Sequence, residues 1–213
     1  MSKKLFAEFL GTFALVFLGA GAIVSGKADL QGVAIAHGLA IFVSISALAG
    51  ISGAHFNPAV SAVMLATKRI CGQDFLYFVL AQLAGASVAS FALNYIFGHS
   101  NGYGLPAIAS GTSIGAGVLA EILGTALLVA VIFGVAVDKR SVAASHPGLP
   151  IGLTITAVIF SVGPITGAAL NPARWFGPAI VSGDWTNAWV YIVAPIAGAL
   201  IAGFTYQAVA KPE

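Results

Sequence analysis

The residues best placed to do chemistry in this chain fall in two near-identical stretches. Residues 52–62 read SGAHFNPAVSA and residues 166–176 read TGAALNPARWF, so Asn57-Pro58-Ala59 recurs as Asn171-Pro172-Ala173 at an offset of 114. Asn-Pro marks a turn or the opening of a helix. Proline is favoured at the first helical position, where its missing N–H costs nothing, and asparagine is a strong N-cap. A short helix opened in this way carries about half a positive charge at its N-terminus. The Asn57 and Asn171 amides are then expected to stay free as donors into the space ahead of them. Donors and positive dipole ends around a narrow path admit small uncharged molecules and reject cations, hydronium included. Covalent chemistry has no such support. No serine, histidine and acid form a triad and no metal-ligand cluster is found, so catalytic residues, cofactor and metal are each read as none.

Two acids and one arginine complete this set. Glu8 and Glu121 lie in otherwise apolar stretches, where an ionisable group is costly unless paired or functional. No further acids are present there to form a proton relay. Arg174 directly follows the second Asn-Pro-Ala, and its planar fork would both repel cations and donate to a passing oxygen.

The elements that position these residues must cross a membrane. Of the 213 residues 59% are hydrophobic and only 8% charged, where a soluble domain carries roughly 25% charged residues. A net charge of +2 gives no footing for nucleic acid. The lone Cys71 excludes an internal disulfide and is expected as a reduced thiol on the cytoplasmic side. Lys3 and Lys4 ahead of an apolar stretch imitate a signal peptide, but Glu8 interrupts it and equally apolar segments follow. A helix crossing the hydrocarbon needs about 20 residues. Six segments qualify: Leu5 to Val24, Val33 to Ala49, Phe75 to Phe97, Ile114 to Val137, Leu149 to Val162 and Trp189 to Ala208. The fifth is short, and Gly163-Pro164 is expected to end its regular part. The Asn-Pro stretches follow the second and fifth spans and are too short to cross.

Seven basic residues (Lys3, Lys4, Lys68, Arg69, Lys139, Arg140 and Lys211) fall on one side of a six-span arrangement and Lys27 on the other. That bias puts both termini in the cytoplasm. Trp185, Trp189 and Tyr191 are expected to form an interfacial aromatic belt. The halves also repeat: residues 7–12, AEFLGT, match residues 120–125, AEILGT. Gly38-Leu39 matches Gly152-Leu153, and Ala81, Gly85 and Ala89 match Ala194, Gly198 and Ala202, small-residue rows that let helices approach closely. Three spans per repeat is an odd number, so the second half lies inverted. The reading is one transmembrane channel domain over 1–213, with repeat one about 1–105 and repeat two about 106–213.

These landmarks together resemble the aquaporin (major intrinsic protein) family over nearly the whole chain. The resemblance implies an all-α membrane protein of six transmembrane helices plus two re-entrant half-helices, assembled as a homotetramer in the lipid of the cell membrane. It implies that Glu8 and Glu121 accept hydrogen bonds from the re-entrant loops. It also implies an outer constriction, or selectivity filter, of His37, Ile159, Ala168 and Arg174. Strict water channels of the family place a second histidine where this chain has Ile159. Glycerol facilitators place an acid after the arginine, where this chain has Trp175. The four filter residues and residues 176–191 are similar to the tonoplast-type intrinsic proteins, which implies passage of water and of ammonia. A small-polyol (glycerol) facilitator is the nearest alternative, and a secondary transporter, which also uses inverted repeats, the more distant one. His99, His55 and His146 are read as ordinary loop histidines.

Overall fold

The computed structural model describes residues 1–210; Lys211, counted above with the basic residues of one side, lies outside them. Among the described residues six helices are long and apolar enough to cross a membrane. These are α1 (Ser2–Val24), α2 (Leu30–Ser52), α4 (Gly72–Phe97), α5 (Ile114–Val137), α6 (Gly148–Thr166) and α8 (Ala188–Ala210). Two short helices, α3 (Pro58–Ala66) and α7 (Pro172–Ser182), each begin at an Asn-Pro.

Local signals set the boundaries. Asp29 caps α2 by accepting from the Gly32 amide, and Ser113 caps α5 by accepting from Ala116. Gly53 and Gly167 end α2 and α6 in the left-handed region, which only glycine enters at no steric cost. The expectation that Gly163-Pro164 ends the fifth span is wrong. Helix α6 continues to Thr166, and the Gly163 carbonyl still accepts from the Gly167 amide at 2.9 Å. Proline breaks a helix by losing the bond to the carbonyl four residues back, and one such loss in the last turn of a packed helix is tolerated.

Helix α1 packs on α4 and α5 on α8, while α2 crosses α6. The half-helices exchange partners across the halves: α3 lies on α8 and α7 on α4. At the α2–α6 crossing Gly38 faces the Gly152 carbonyl and Gly152 faces the Gly38 carbonyl, so any side chain would push the backbones apart. Outward faces are apolar, with Leu119, Leu123 and Leu127 exposed in one row of α5. Such a surface requires hydrocarbon around it.

The rim where both ends of the described chain meet is held by charge. Lys4 pairs with Asp74 at 3.7 Å. Asp138 accepts from the Arg140 guanidinium at 2.6 and 2.9 Å and from the Tyr206 hydroxyl at 3.1 Å, while Arg140 also donates to the Ala210 carbonyl. The hydrogen bonds from Arg140 hold the Asp138 carboxyl well below the usual carboxylate range. Trp185 and Trp189 are half exposed, as an interfacial belt requires, but Tyr191 is not part of it. It is fully buried, stacks on Trp175 at 5.5 Å and donates to the Thr166 carbonyl at 3.0 Å.

Candidate functional site

The two half-helices meet N-terminus to N-terminus. Asn57 Oδ1 accepts from the Ala59 amide at 2.8 Å, and Asn171 Oδ1 from Ala173 and Arg174 at 2.9 and 3.3 Å. These are N-cap bonds, which satisfy amides a helix start leaves without partners. The side-chain amides are not wholly free, contrary to expectation. Asn57 Nδ2 donates to the Leu170 carbonyl at 2.9 Å and Asn171 Nδ2 to the Phe56 carbonyl at 2.8 Å. Each amide has two N–H donors, so one ties the halves together and the second remains.

The loops before the half-helices run in unusual backbone. Ala54 and Phe56 in the first, and Ala168 and Leu170 in the second, have φ of 54°, 51°, 46° and 53°. For a residue with a Cβ this left-handed region is strained and persists only where the surroundings over-determine it. Glu8 supplies the constraint in the first half, accepting from the Ser52 hydroxyl at 2.6 Å and from the His55 and Phe56 amides at 3.0 and 2.7 Å. Glu121 repeats the pattern with the Thr166 hydroxyl at 2.6 Å and the Ala169 and Leu170 amides at 2.9 and 2.8 Å. Both acids are fully buried. With the amides turned to these acids, Gly11 opposite the Phe56 ring and Gly124 opposite Leu170 leave room for the side chains that follow.

One cavity of about 230 Å³ is bordered by both loops, from Gly53 to Asn57 and from Ala168 to Asn171, with Glu8 and Glu121 behind its wall. His37, Ile159, Ala168 and Arg174 border it together, as do Asn57 and Asn171. Arg174 Nη1 donates to the Gly104 carbonyl at 2.8 Å and Nη2 lies 3.3 Å from His37 Nε2, while its Nε has no protein partner. An arginine only donates, so His37 Nε2 accepts. The proton then sits on Nδ1, which donates to the Val33 carbonyl at 2.8 Å. Both nitrogens of His37 are thus engaged at this end of the cavity, one by backbone and the other by Arg174. Gly19 makes its ring position possible, since a Cβ there would come 2.5 Å from His37 Cδ2.

His55, read from the sequence as an ordinary loop histidine, borders the same cavity. Gln82 Nε2 donates to both Glu8 and the Ser61 hydroxyl, at 2.8 and 3.0 Å. The same Ser61 hydroxyl meets His55 Nδ1 at 3.0 Å, so Gln82, Ser61 and His55 form one chain from Glu8 to the cavity. Sequence reasoning missed Gln82, Ser61 and Gly19 because the repeat does not contain them: their matched positions are Pro195, Trp175 and Ile132. His99 packs edge-on against Tyr103 at 5.5 Å and His146 meets Ser145 at 2.9 Å, neither bordering this cavity.

Residues 1–206 match the family described as Major intrinsic protein. Aquaporin NIP1-1 of Zea mays is 40% identical over 210 residues, covering 96% of this chain and 74% of the relative. A protein named glycerol uptake facilitator protein-like 6, from Lactiplantibacillus plantarum, is 43% identical with 95% of each chain covered. The X-ray structure of the aquaglyceroporin from Plasmodium falciparum superposes with a TM-score of 0.90 at 28% identity, over 99% of this chain and 97% of that one. None of these three carries a tonoplast-type name; that likeness rests on the four filter residues and residues 176–191 alone.

Proposed function

This chain belongs to the major intrinsic protein (aquaporin) family, whose members are membrane channels and not enzymes, and on that premise we propose that it is a passive pore for water. The observation that carries the reading is the single cavity bordered by both Asn57 and Asn171 and by Arg174. Two half-helix N-termini face it, so a cation entering meets two positive dipole ends and a guanidinium. Water loses hydrogen bonds on entering a narrow path, and the unpartnered N–H groups of Arg174 and the second N–H of each asparagine replace them. His37, Ile159, Ala168 and Arg174 act as the selectivity filter in this reading. Both ring nitrogens of His37 are engaged, Nδ1 by the Val33 carbonyl and Nε2 by Arg174, which leaves Arg174 as the donor of the filter.

The opposite wall of Ile159 and Ala168 is apolar, and this supports a second reading in which ammonia or a small polyol also passes. The names of two relatives, a glycerol uptake facilitator-like protein and an aquaglyceroporin, point the same way. The protein acts as a homotetramer in the cell membrane with both termini in the cytoplasm, an orientation supported by the bias of basic residues.

Stopped-flow light scattering on proteoliposomes tests both readings, with osmotic shocks of sucrose, glycerol and ammonium salts. A water pore raises the sucrose response above that of empty liposomes without proton or cation leak. Glycerol or ammonia flux at the level of empty liposomes restricts the pore to water. Saturable flux dependent on an ion gradient replaces the channel by a transporter.

A further inference from the structure

Arg174 stands on α7, but its guanidinium is held from another part of the chain. The Gly104 carbonyl that accepts from Nη1 belongs to a turn of four successive residues with positive φ: Asn101, Gly102, Tyr103 and Gly104, at 45°, 57°, 59° and 69°. A run of this kind does not form by itself, because each residue with a Cβ resists the left-handed region. The end of α1 imposes it. The Ser100 hydroxyl and the Asn101 side-chain amide both donate to the Val24 carbonyl, at 2.8 and 3.1 Å. Gly26 leaves room for that amide, since a Cβ there would approach Asn101 Nδ2 to 2.8 Å. Gly104 seats directly on Ala20, where a Cβ would come within 3.0 Å of the alanine methyl.

We infer that the 100–104 turn is a positioning element for Arg174, set by the paired anchor of Ser100 and Asn101 on the Val24 carbonyl. Helix α1 carries the turn and the turn carries the guanidinium. The same helix carries Gly19, against which the His37 ring packs, so one helix end registers both polar groups of the constriction. Their separation then depends on α1 and the turn, and not on α7 alone. A solute wider than water is more sensitive to that separation than water is, so the anchor acts on selectivity before it acts on water flux. This consequence rests on the reading that Arg174 borders the conducting path; the positioning itself does not.

The test pairs a double variant, Ser100→Ala with Asn101→Gly, against Ser100→Thr. Glycine accepts the positive φ of residue 101, so the double variant removes both anchors without adding strain, and threonine keeps the hydroxyl. Asn101→Gly alone serves as the milder variant if the double variant does not fold. The chain has three arginines, Arg69, Arg140 and Arg174, so guanidinium signals are assignable by nitrogen NMR of the reconstituted protein. Hydrogen exchange of the Arg174 guanidinium should rise about tenfold in the double variant, as expected for the release of one charge-assisted hydrogen bond. Ser100→Thr should exchange as the parent does. In proteoliposomes the ratio of glycerol to water permeability should rise in the double variant. Unchanged exchange in the folded double variant overturns the inference, as does a Ser100→Thr variant that exchanges as fast as the double variant. Faster exchange with an unchanged permeability ratio leaves the anchor standing and removes Arg174 from the filter.

Discussion

Glu8 accepts four hydrogen bonds and Glu121 three, and the extra partner of Glu8 is Gln82. The matched residue in the second half is Pro195, which has no side-chain donor. This asymmetry predicts different outcomes for one substitution made twice. In Glu121→Gln the new amide meets the Leu170 N–H donor to donor, leaving a buried donor unsatisfied at about 1–3 kcal/mol. In Glu8→Gln an amide at the same position meets two donors, the Phe56 N–H and Gln82 Nε2, and turning Gln82 to face it gives up the bond to Ser61. Thermal melting of the purified protein should therefore fall further for Glu8→Gln than for Glu121→Gln. Equal melting points would mean that Gln82 compensates by turning its unpartnered Oε1 to the new amide. A second residue-scale prediction concerns Gly19. Gly19→Ala must displace the His37 ring, costing about 1–3 kcal/mol by overpacking and pulling Nε2 away from Arg174. Water permeability per channel should drop while the protein remains folded. Permeability equal to the parent would show that the ring position does not matter to the path. Arg174, Asn57, Asn171 and both glutamates were recognisable in the sequence because they are ionisable groups or repeated motifs in apolar surroundings. Gly19 was not, because the need for a missing Cβ exists only once two helices are packed.

The two half-helices solve one packing problem in opposite ways. In the first half Val63 of α3 fits against Gly203 of α8, and in the second Gly177 of α7 fits against Ser90 and the Ala86 carbonyl of α4. Val63 corresponds to Gly177 and Ser90 to Gly203 under the repeat offsets, so bulk and gap have changed sides. Gly203→Ser alone drives its Cβ into Val63 and should destabilise by about 1–3 kcal/mol. Val63→Gly alone empties the site and weakens α3 further by a few tenths of a kcal/mol from helix propensity. Together they reproduce the second-half arrangement, so a double-mutant cycle should show favourable coupling of about 1 kcal/mol or more. Strict additivity in denaturation would mean that the two sites do not share one packing unit. The presence and order of the helices were legible at this scale, since length, hydropathy and Asn-Pro punctuation are local. The course of α6 past Pro164 and the burial of Tyr191 were not. Both depend on neighbours remote in sequence, Tyr191 having Trp175 and the Thr166 carbonyl as partners.

At the scale of the whole molecule the exterior is apolar and the polar groups turn inward, with the halves joined where those groups meet. Two reciprocal hydrogen bonds, Asn57 to Leu170 and Asn171 to Phe56, are at once the seam between the halves and part of the cavity wall. The sequence supplied the two asparagines but not this exchange, because a bond between residues 113 or 115 apart leaves no local pattern. One substitution at the seam should therefore act on both stability and ion exclusion. Asn171→Asp keeps the cap oxygen for Ala173 but replaces the donor to the Phe56 carbonyl with a second carboxylate oxygen. Two oxygens then face each other, so the seam loses a bond worth about 0.5–1.5 kcal/mol and gains a repulsion. The carboxylate also sits where two helix N-termini previously met with no counter-charge, which lowers the barrier to a cation. A voltage-clamp or ion-flux assay of the folded variant should show cation leak that the parent lacks, together with a lower melting temperature. A variant that melts lower but stays tight to ions would assign cation exclusion to Arg174 alone, and one that is unchanged in both would place the seam elsewhere.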